Sequence, residues 1–294
     1  MDRAAGGFDH FEITEPTAQT LPFVYNSPHS GRHYPPSFLH DARLDSVAIR
    51  RSADHFVDEL FAAAPELGAP LLAANFPRAY LDVNREPYEL DPKMFDGPLP
   101  PYANIGSLRV AGGLGTIPRI VAENMEIYRR RLTVEEGLSR IDEIYKPYHA
   151  ALRKLIARTH ARFGFSILID CHSMPGNIRI AGSDIRPDII IGDRYGTSAS
   201  AELSRAAVAI LTDLGFSAVR NKPYAGGFIT EHYGRPVRGL HALQIEVNRA
   251  LYMDELTLEK GPDFETVAGE LFTFMRRMAE FAKEFGSTTA LAAE

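Results

Sequence analysis

The stretch Val24-Tyr25-Asn26-Ser27-Pro28-His29-Ser30-Gly31-Arg32 decides the fold. The apolar run from Leu21 to Tyr25 predicts a strand, and the Ser27-Pro28 step ends it, because proline offers no N–H to a neighbouring strand. His29 follows at once, then Gly31, where the backbone is free to turn tightly. Polar groups just past the C-terminal ends of strands are where open α/β sheets gather ligands. The pattern recurs at Phe165-Ser-Ile-Leu-Ile-Asp170-Cys-His172-Ser-Met-Pro-Gly176: an apolar run, a histidine, a serine, then proline and glycine. Side chains alternate along a strand, so Asp170 and His172 share one face and Cys171 points to the other, as a small core residue. A third strand, His241 to Asn248, places Gln244, Glu246 and Asn248 on one face and turns Ile245 and Val247 to the core. A glutamate inside a covered sheet is costly unless it is paired or at work.

Working outward, residues 1–20 read as an irregular arm. Ala48 to Ala64 has helical spacing, with Asp54 and Asp58 on one face or Asp54 at a break near the start. Pro70–Ala74 reads as a strand and Ala79–Val83 as a short extended piece. Residues 86–118 form a long loop rich in proline, glycine and tyrosine, of the length that carries function when ordered. Gly112-Gly-Leu-Gly115 lacks the glycine spacing of a dinucleotide fingerprint. Thr133 with Glu136 makes a capping box, and Pro147 kinks or divides the helix that follows. Ser198–Leu214 and Phe264–Phe285 are amphipathic helices, and residues 286–294 are expected to fray. Strands alternating with helices predict one α/β domain over residues 1–294, a mixed, mostly parallel sheet flanked by helices.

With 294 residues, 45% hydrophobic and 24% charged, the chain has ample material for a core, and no run approaches the ~18 apolar residues of a membrane span. A net charge of −6 argues against nucleic acid and anionic membranes as partners. Cys171 is the only cysteine, which excludes an intrachain disulfide and suits a reducing, cytoplasmic setting. His29 and His172 with one carboxylate, Asp54 or Asp58, would make a three-ligand zinc site with an open position, all from separate elements. Glu246 beside such a site is placed for metal-assisted hydrolysis.

Ser27–Gly31, Asp54, Arg78 through Asp82-Val-Asn-Arg85, Asp170–Ser173, Asn221-Lys-Pro-Tyr-Ala-Gly-Gly227 and Gln244–Arg249, in this order, resemble the N-formylglutamate amidohydrolase family. The resemblance runs over roughly residues 22–282. It implies a zinc carboxypeptidase-like (phosphorylase/hydrolase-like) fold and one zinc per chain, or a divalent ion of similar ligand taste, on His29, His172 and a carboxylate, for which Asp54 matches the family's recurring aspartate and Asp58 is the other candidate. In the carboxypeptidase relatives the carboxylate ligand lies three residues after the first histidine; here that residue is Arg32, so the ligand must come from elsewhere. The implied reaction is hydrolysis of N-formyl-L-glutamate to formate and L-glutamate, late in histidine degradation. Glu246 would serve as general base and acid, with Arg85 in the catalytic set. The partner is a small anionic N-acyl amino acid whose two carboxylates call for arginine forks. Arg78, Asn84, Arg119, Tyr224 and Arg249 are the expected substrate contacts, with Asp170 and Gln244 as supports for the ligands and base. His149 is an open case, a helix residue or a functional one. Two alternatives are a zinc deacylase or carboxypeptidase for another small N-acyl compound, and a non-catalytic anion-binding protein.

Overall fold

The computed structural model describes residues 9–182 and 184–291, with side chains described to residue 285. Its main sheet has seven strands: β1 (Phe11–Thr14), β2 (Phe23–Ser27), β3 (Leu71–Ala74), β4 (Ser166–Met174), β5 (Ile189–Gly192), β6 (Ala218–Arg220) and β7 (Leu240–Asn248). Their order is β1-β3-β2-β4-β7-β5-β6. β2 and β4, β4 and β7, and β5 and β6 run parallel, whereas β7 and β5 are antiparallel. The sheet is mixed and mostly parallel, flanked by helices, as the alternating pattern predicts.

Contacts gather into two compact units, each assembled from separate stretches: residues 1–12, 28–55 and 73–151 in the first, and 13–27, 56–72 and 152–294 in the second. In the second unit the two faces of β4 and β7 diverge in character. Ile167, Ile169, Cys171, Leu243, Ile245 and Val247 point into an apolar core closed by Leu203, Ala207 and Leu211 of α1 (Ala201–Asp213) and Leu271, Phe274 and Met278 of α2 (Phe264–Leu291). Burying each large side chain there contributes roughly 1.5–3 kcal/mol. The opposite face carries Asp170, His172, Gln244 and Glu246, and the register sets Gln244 against Asp170 and Glu246 against His172. Asn26 of β2 pairs with Asp170 on the other side. Ser200 starts α1 by accepting a hydrogen bond from the Leu203 N–H.

The first unit is held by aromatic contacts. Phe38 meets Tyr34, Tyr80 and Tyr128, and the Arg140 guanidinium lies 3.9 Å above the Tyr80 ring. Arg140 also donates to Tyr128 Oη (2.7 Å) and to the Tyr80 carbonyl (3.2 Å), which satisfies a cation that is almost fully buried.

Several local expectations change. The arm of residues 1–20 contains β1. Ala48–Ala64 is not one helix: a 3₁₀ turn (Ala48–Arg50) and two short helices (Val57–Leu60, Ala64–Leu67) are separated by Phe56 in the left-handed region (φ 62°). Tertiary bonding overrides the helical pattern there, since the Asp54 N–H is taken by the His29 carbonyl at 3.0 Å. Ala79–Val83 forms turns and no strand. The capping box at Thr133 is present, and the helix divides just before Pro147 through a π segment (Ile141–Tyr145) that precedes Lys146–Phe163. α2 runs to Leu291, through much of the tail expected to fray; residues 292–294 lie outside the described set. Among the described residues no helix is long and apolar enough to cross a membrane.

Candidate metal centre and active site

His29 stands two residues beyond the end of β2, where Pro28 has stopped the ladder. The turn is fixed by a close approach: a Cβ on Gly31 would lie 2.0 Å from the Phe76 carbonyl oxygen, so only glycine fits. His29 is buried between two carboxylates. Its Nε2 lies 2.8 Å from Asp82 Oδ1 and its Nδ1 3.3 Å from Asp54 Oδ2. Asp82 is itself densely bonded, accepting from the Asn84 N–H (2.8 Å) and Arg78 Nε (3.0 Å), with Arg85 Nη2 at 3.6 Å. Burial opposes the charge of Asp82, but Arg85, Arg78 and His29 together outweigh it and hold the carboxyl well below the usual carboxylate range.

An ionised Asp82 accepts the proton of His29 Nε2. The lone pair of Nδ1 then faces Asp54, an acceptor facing an acceptor at 3.3 Å. A metal ion held there would resolve that opposition. Two imidazoles and a carboxylate are a donor set suited to zinc.

In the second unit His172 has the same arrangement. Its Nε2 lies 2.9 Å from Asp170 Oδ2, and Asp170 Oδ1 accepts from Asn26 Nδ2 at 2.7 Å. All three are buried. Glu246, 8% exposed, accepts a 2.7 Å hydrogen bond from Gln244 Nε2 through Oε1. Gln244 Oε1 in turn accepts from the Gly227 N–H (2.7 Å) and Thr230 Oγ1 (3.4 Å). Cys171 lies in the core on the opposite face, where burial, with the Asp170 charge, pushes its thiol pKa well up. It is no nucleophile. Among the described residues, one buried group of histidine and carboxylate side chains could hold a metal ion: His29, Asp54 and His172. Asp58, on the short helix Val57–Leu60, is not in that group.

The family follows from comparison. The N-formylglutamate amidohydrolase family model matches residues 21–253. The chain belongs to the N-formylglutamate amidohydrolase family. Its relatives include an N-formylglutamate deformylase of Pseudomonas aeruginosa, 30% identical over 80% of this chain and 83% of that protein. One from Pseudomonas putida is 28% identical with the same coverage. The crystal structure of an N-formylglutamate amidohydrolase from Ralstonia eutropha superposes with a TM-score of 0.87 at 37% identity, over 93% of this chain and 98% of that one. An Agrobacterium tumefaciens protein, TM-score 0.65 at 18% identity, shares the fold.

The remaining expected residues of this amidohydrolase fall into distinct settings. Arg85 is largely engaged by the protein, with Nε on the Leu114 carbonyl and Nη1 on the Asn84 carbonyl, both at 2.8 Å. Arg78 is more open, its side chain 25% exposed. Arg119 pairs with Asp91 (2.8 Å) and Glu126 (3.3 Å) in a separate basic hollow. Arg249 is buried and donates from Nε to Ser173 Oγ at 2.9 Å, beside His172 in sequence. Tyr224 is half-buried in the loop that delivers Gly227 to Gln244. His149 Nε2 donates to the Val83 carbonyl at 2.8 Å, and Tyr145 Oη donates to the Arg85 carbonyl at 2.6 Å. The residue whose role the motif reading missed is Asp82. It sat inside the Arg78–Arg85 motif, and the signal was a lone acid among arginines in an otherwise apolar turn.

Proposed function

We propose that this chain hydrolyses N-formyl-L-glutamate to formate and L-glutamate, with a divalent metal, zinc by preference, held by His29, Asp54 and His172. One observation carries the reading: each candidate imidazole has an aspartate on Nε2, Asp82 for His29 and Asp170 for His172. Paired carboxylate–histidine supports of this kind orient metal ligands and fix their tautomer, leaving Nδ1 as the donor on both rings. The relatives named as N-formylglutamate deformylases support the substrate.

When bound, the ion supplies a Lewis acid that makes water nucleophilic near neutral pH and polarises an amide carbonyl. The chain's own residues do the rest. Glu246 takes one proton of the attacking water at a carboxylate oxygen and returns it to the departing nitrogen, so that the C–N bond breaks with glutamate leaving as a neutral amine; the second proton of the water goes with formic acid, whose ionisation leaves formate and lets the amine become an ammonium. Gln244 holds Glu246 in place through Oε1. Arg78 and Arg249 are the cations proposed to anchor the two substrate carboxylates by charge-assisted hydrogen bonds, with Asn84 and Tyr224 as neutral contacts. Arg85 acts chiefly on Asp82, keeping it ionised and in place.

The test is a formate-release assay with N-formyl-L-glutamate beside N-acetyl-L-glutamate, N-formylglycine and N-acetyl-L-aspartate. Formylglutamate should turn over fastest. Equal turnover of the acetyl compounds would replace this reading with a broader deacylase. Glu246→Gln should lower kcat by about 10²- to 10⁴-fold.

A further inference from the structure

We propose that the first unit carries a second anion site, built for a phosphate group, in the hollow lined by Arg43, Lys93, Arg119, Arg129, Arg130 and Arg131. The hollow has a volume of about 180 Å³, and its one acidic lining residue is Glu126. Three of the six cations are already paired. Arg119 bonds Asp91 and Glu126, Arg130 bonds Asp41 and Glu136, and Arg43 lies 3.4 Å from Glu126. Lys93, Arg129 and Arg131 have no carboxylate partner among the described residues. A chain of net charge −6 thus gathers a local excess of positive charge at one concave place.

A run of three arginines on a surface is ordinarily a solvated segment. Here the backbone that carries them is tied down. The Arg129 N–H donates to the Asp41 carbonyl (3.0 Å), the Arg43 N–H to the Ile127 carbonyl (2.7 Å), and Ala42 bridges Tyr128. Arg130 is clamped by Asp41 and Glu136 at 2.7 and 2.6 Å. The backbone that carries these groups is therefore fixed around the hollow before a ligand arrives.

The chemistry selects the ligand. A single carboxylate would neutralise one of three unpaired cations. A phosphate group carries about −1.5 to −2 charges and three strong acceptor oxygens, and arginine forks bind it two oxygens at a time. The hollow is smaller than the roughly 300–1,000 Å³ of sites for drug-sized ligands. That size suits the phosphate head of a small metabolite, or free phosphate. None of His29, Asp54, Asp82 or Arg85 lines it; Arg119, expected from the resemblance to meet substrate, is assigned here to this hollow, and the proposed hydrolysis uses Arg78 and Arg249 as its anchors.

Isothermal titration of the metal-loaded full chain, at ~0.1 M salt, tests this with inorganic phosphate, pyrophosphate, glycerol 3-phosphate and succinate. The phosphate compounds should bind, more weakly as salt rises, and succinate at least ~10-fold more weakly. The double variant Arg129→Ala/Arg131→Ala removes two exposed cations and should weaken phosphate binding by about tenfold or more, with its melting temperature and formate release unchanged. Preference between inorganic phosphate and glycerol 3-phosphate distinguishes a free ion from a phosphorylated metabolite, and either supports the site. Absence of binding by all three phosphate compounds, equal binding of succinate, or phosphate binding unaltered in the double variant would overturn it.

Discussion

His29 Nε2 lies 2.8 Å from Asp82 Oδ1, and Asp82 is kept ionised by the arginines at positions 78 and 85. The consequence is a histidine whose tautomer is set from behind. Asp82→Asn preserves the shape but replaces an ionised acceptor with a neutral amide, which can present either end to the ring. Metal affinity should fall by about 10- to 100-fold, measured by competition with a chromogenic chelator. An unchanged affinity would mean that Asp82 serves the fold and not the metal.

Much of this was legible in the sequence, for reasons that can be located. The period-two alternation in Asp170-Cys-His172 and Gln244-Ile-Glu246 announces a sheet with one polar and one apolar face, and the paired strands have that form. Proline and glycine after each histidine mark strand ends. What the pattern could not show was the segment from Ala48 to Ala64. Its apolar residues have helical spacing, yet the Asp54 N–H is claimed by the His29 carbonyl and Phe56 is forced to positive φ. That bond spans 25 residues, and no local propensity reports it. The role of Asp82 was hidden for the same reason, since an acid flanked by arginines reads equally well as a surface ion pair.

Gly31→Ala should be severely disruptive. A methyl group there would sit 2.0 Å from the Phe76 carbonyl oxygen and 2.6 Å from two carbonyl carbons, all of them backbone. Relief requires moving the turn that presents His29. We expect a stability loss at or above the ~1–3 kcal/mol of overpacking, with metal binding impaired in whatever fraction folds. Urea unfolding and metal content of the soluble protein check both.

Gln244 holds Glu246 by a 2.7 Å hydrogen bond, so Gln244→Leu should lower kcat by about 10- to 100-fold with a smaller effect on KM. Gln244→Glu gives a sharper reading. A second carboxylate beside Glu246 raises the pKa of the pair, and a base must be deprotonated to act, so the acid limb of the kcat profile should move to higher pH. A profile that stays in place in Gln244→Glu would remove Glu246 from the role of base.

His241 gives the fold a pH dependence. It is buried, its Nδ1 accepts the Ser200 N–H at 3.3 Å, and burial lowers its pKa to about 4. The folded state therefore keeps this ring neutral where the unfolded chain, near 6.5, takes up a proton. Its contribution is constant above pH ~6.5 and is lost as pH falls toward about 4, with a slope approaching about 1.4 kcal/mol per pH unit. His241→Gln should flatten that part of the curve, read from urea midpoints between pH 7 and 4.5; an unaltered slope would assign the acid sensitivity to other groups.

Dependence of hydrolysis on one metal ion held by His29, Asp54 and His172 is the point on which the proposed mechanism stands. Its most direct measurement is formate release from N-formyl-L-glutamate by chelator-stripped protein as Zn²⁺ is titrated back. Activity should be negligible without metal and rise to a break at one equivalent per chain, with no such recovery in His172→Ala. Full turnover by the stripped protein would contradict it.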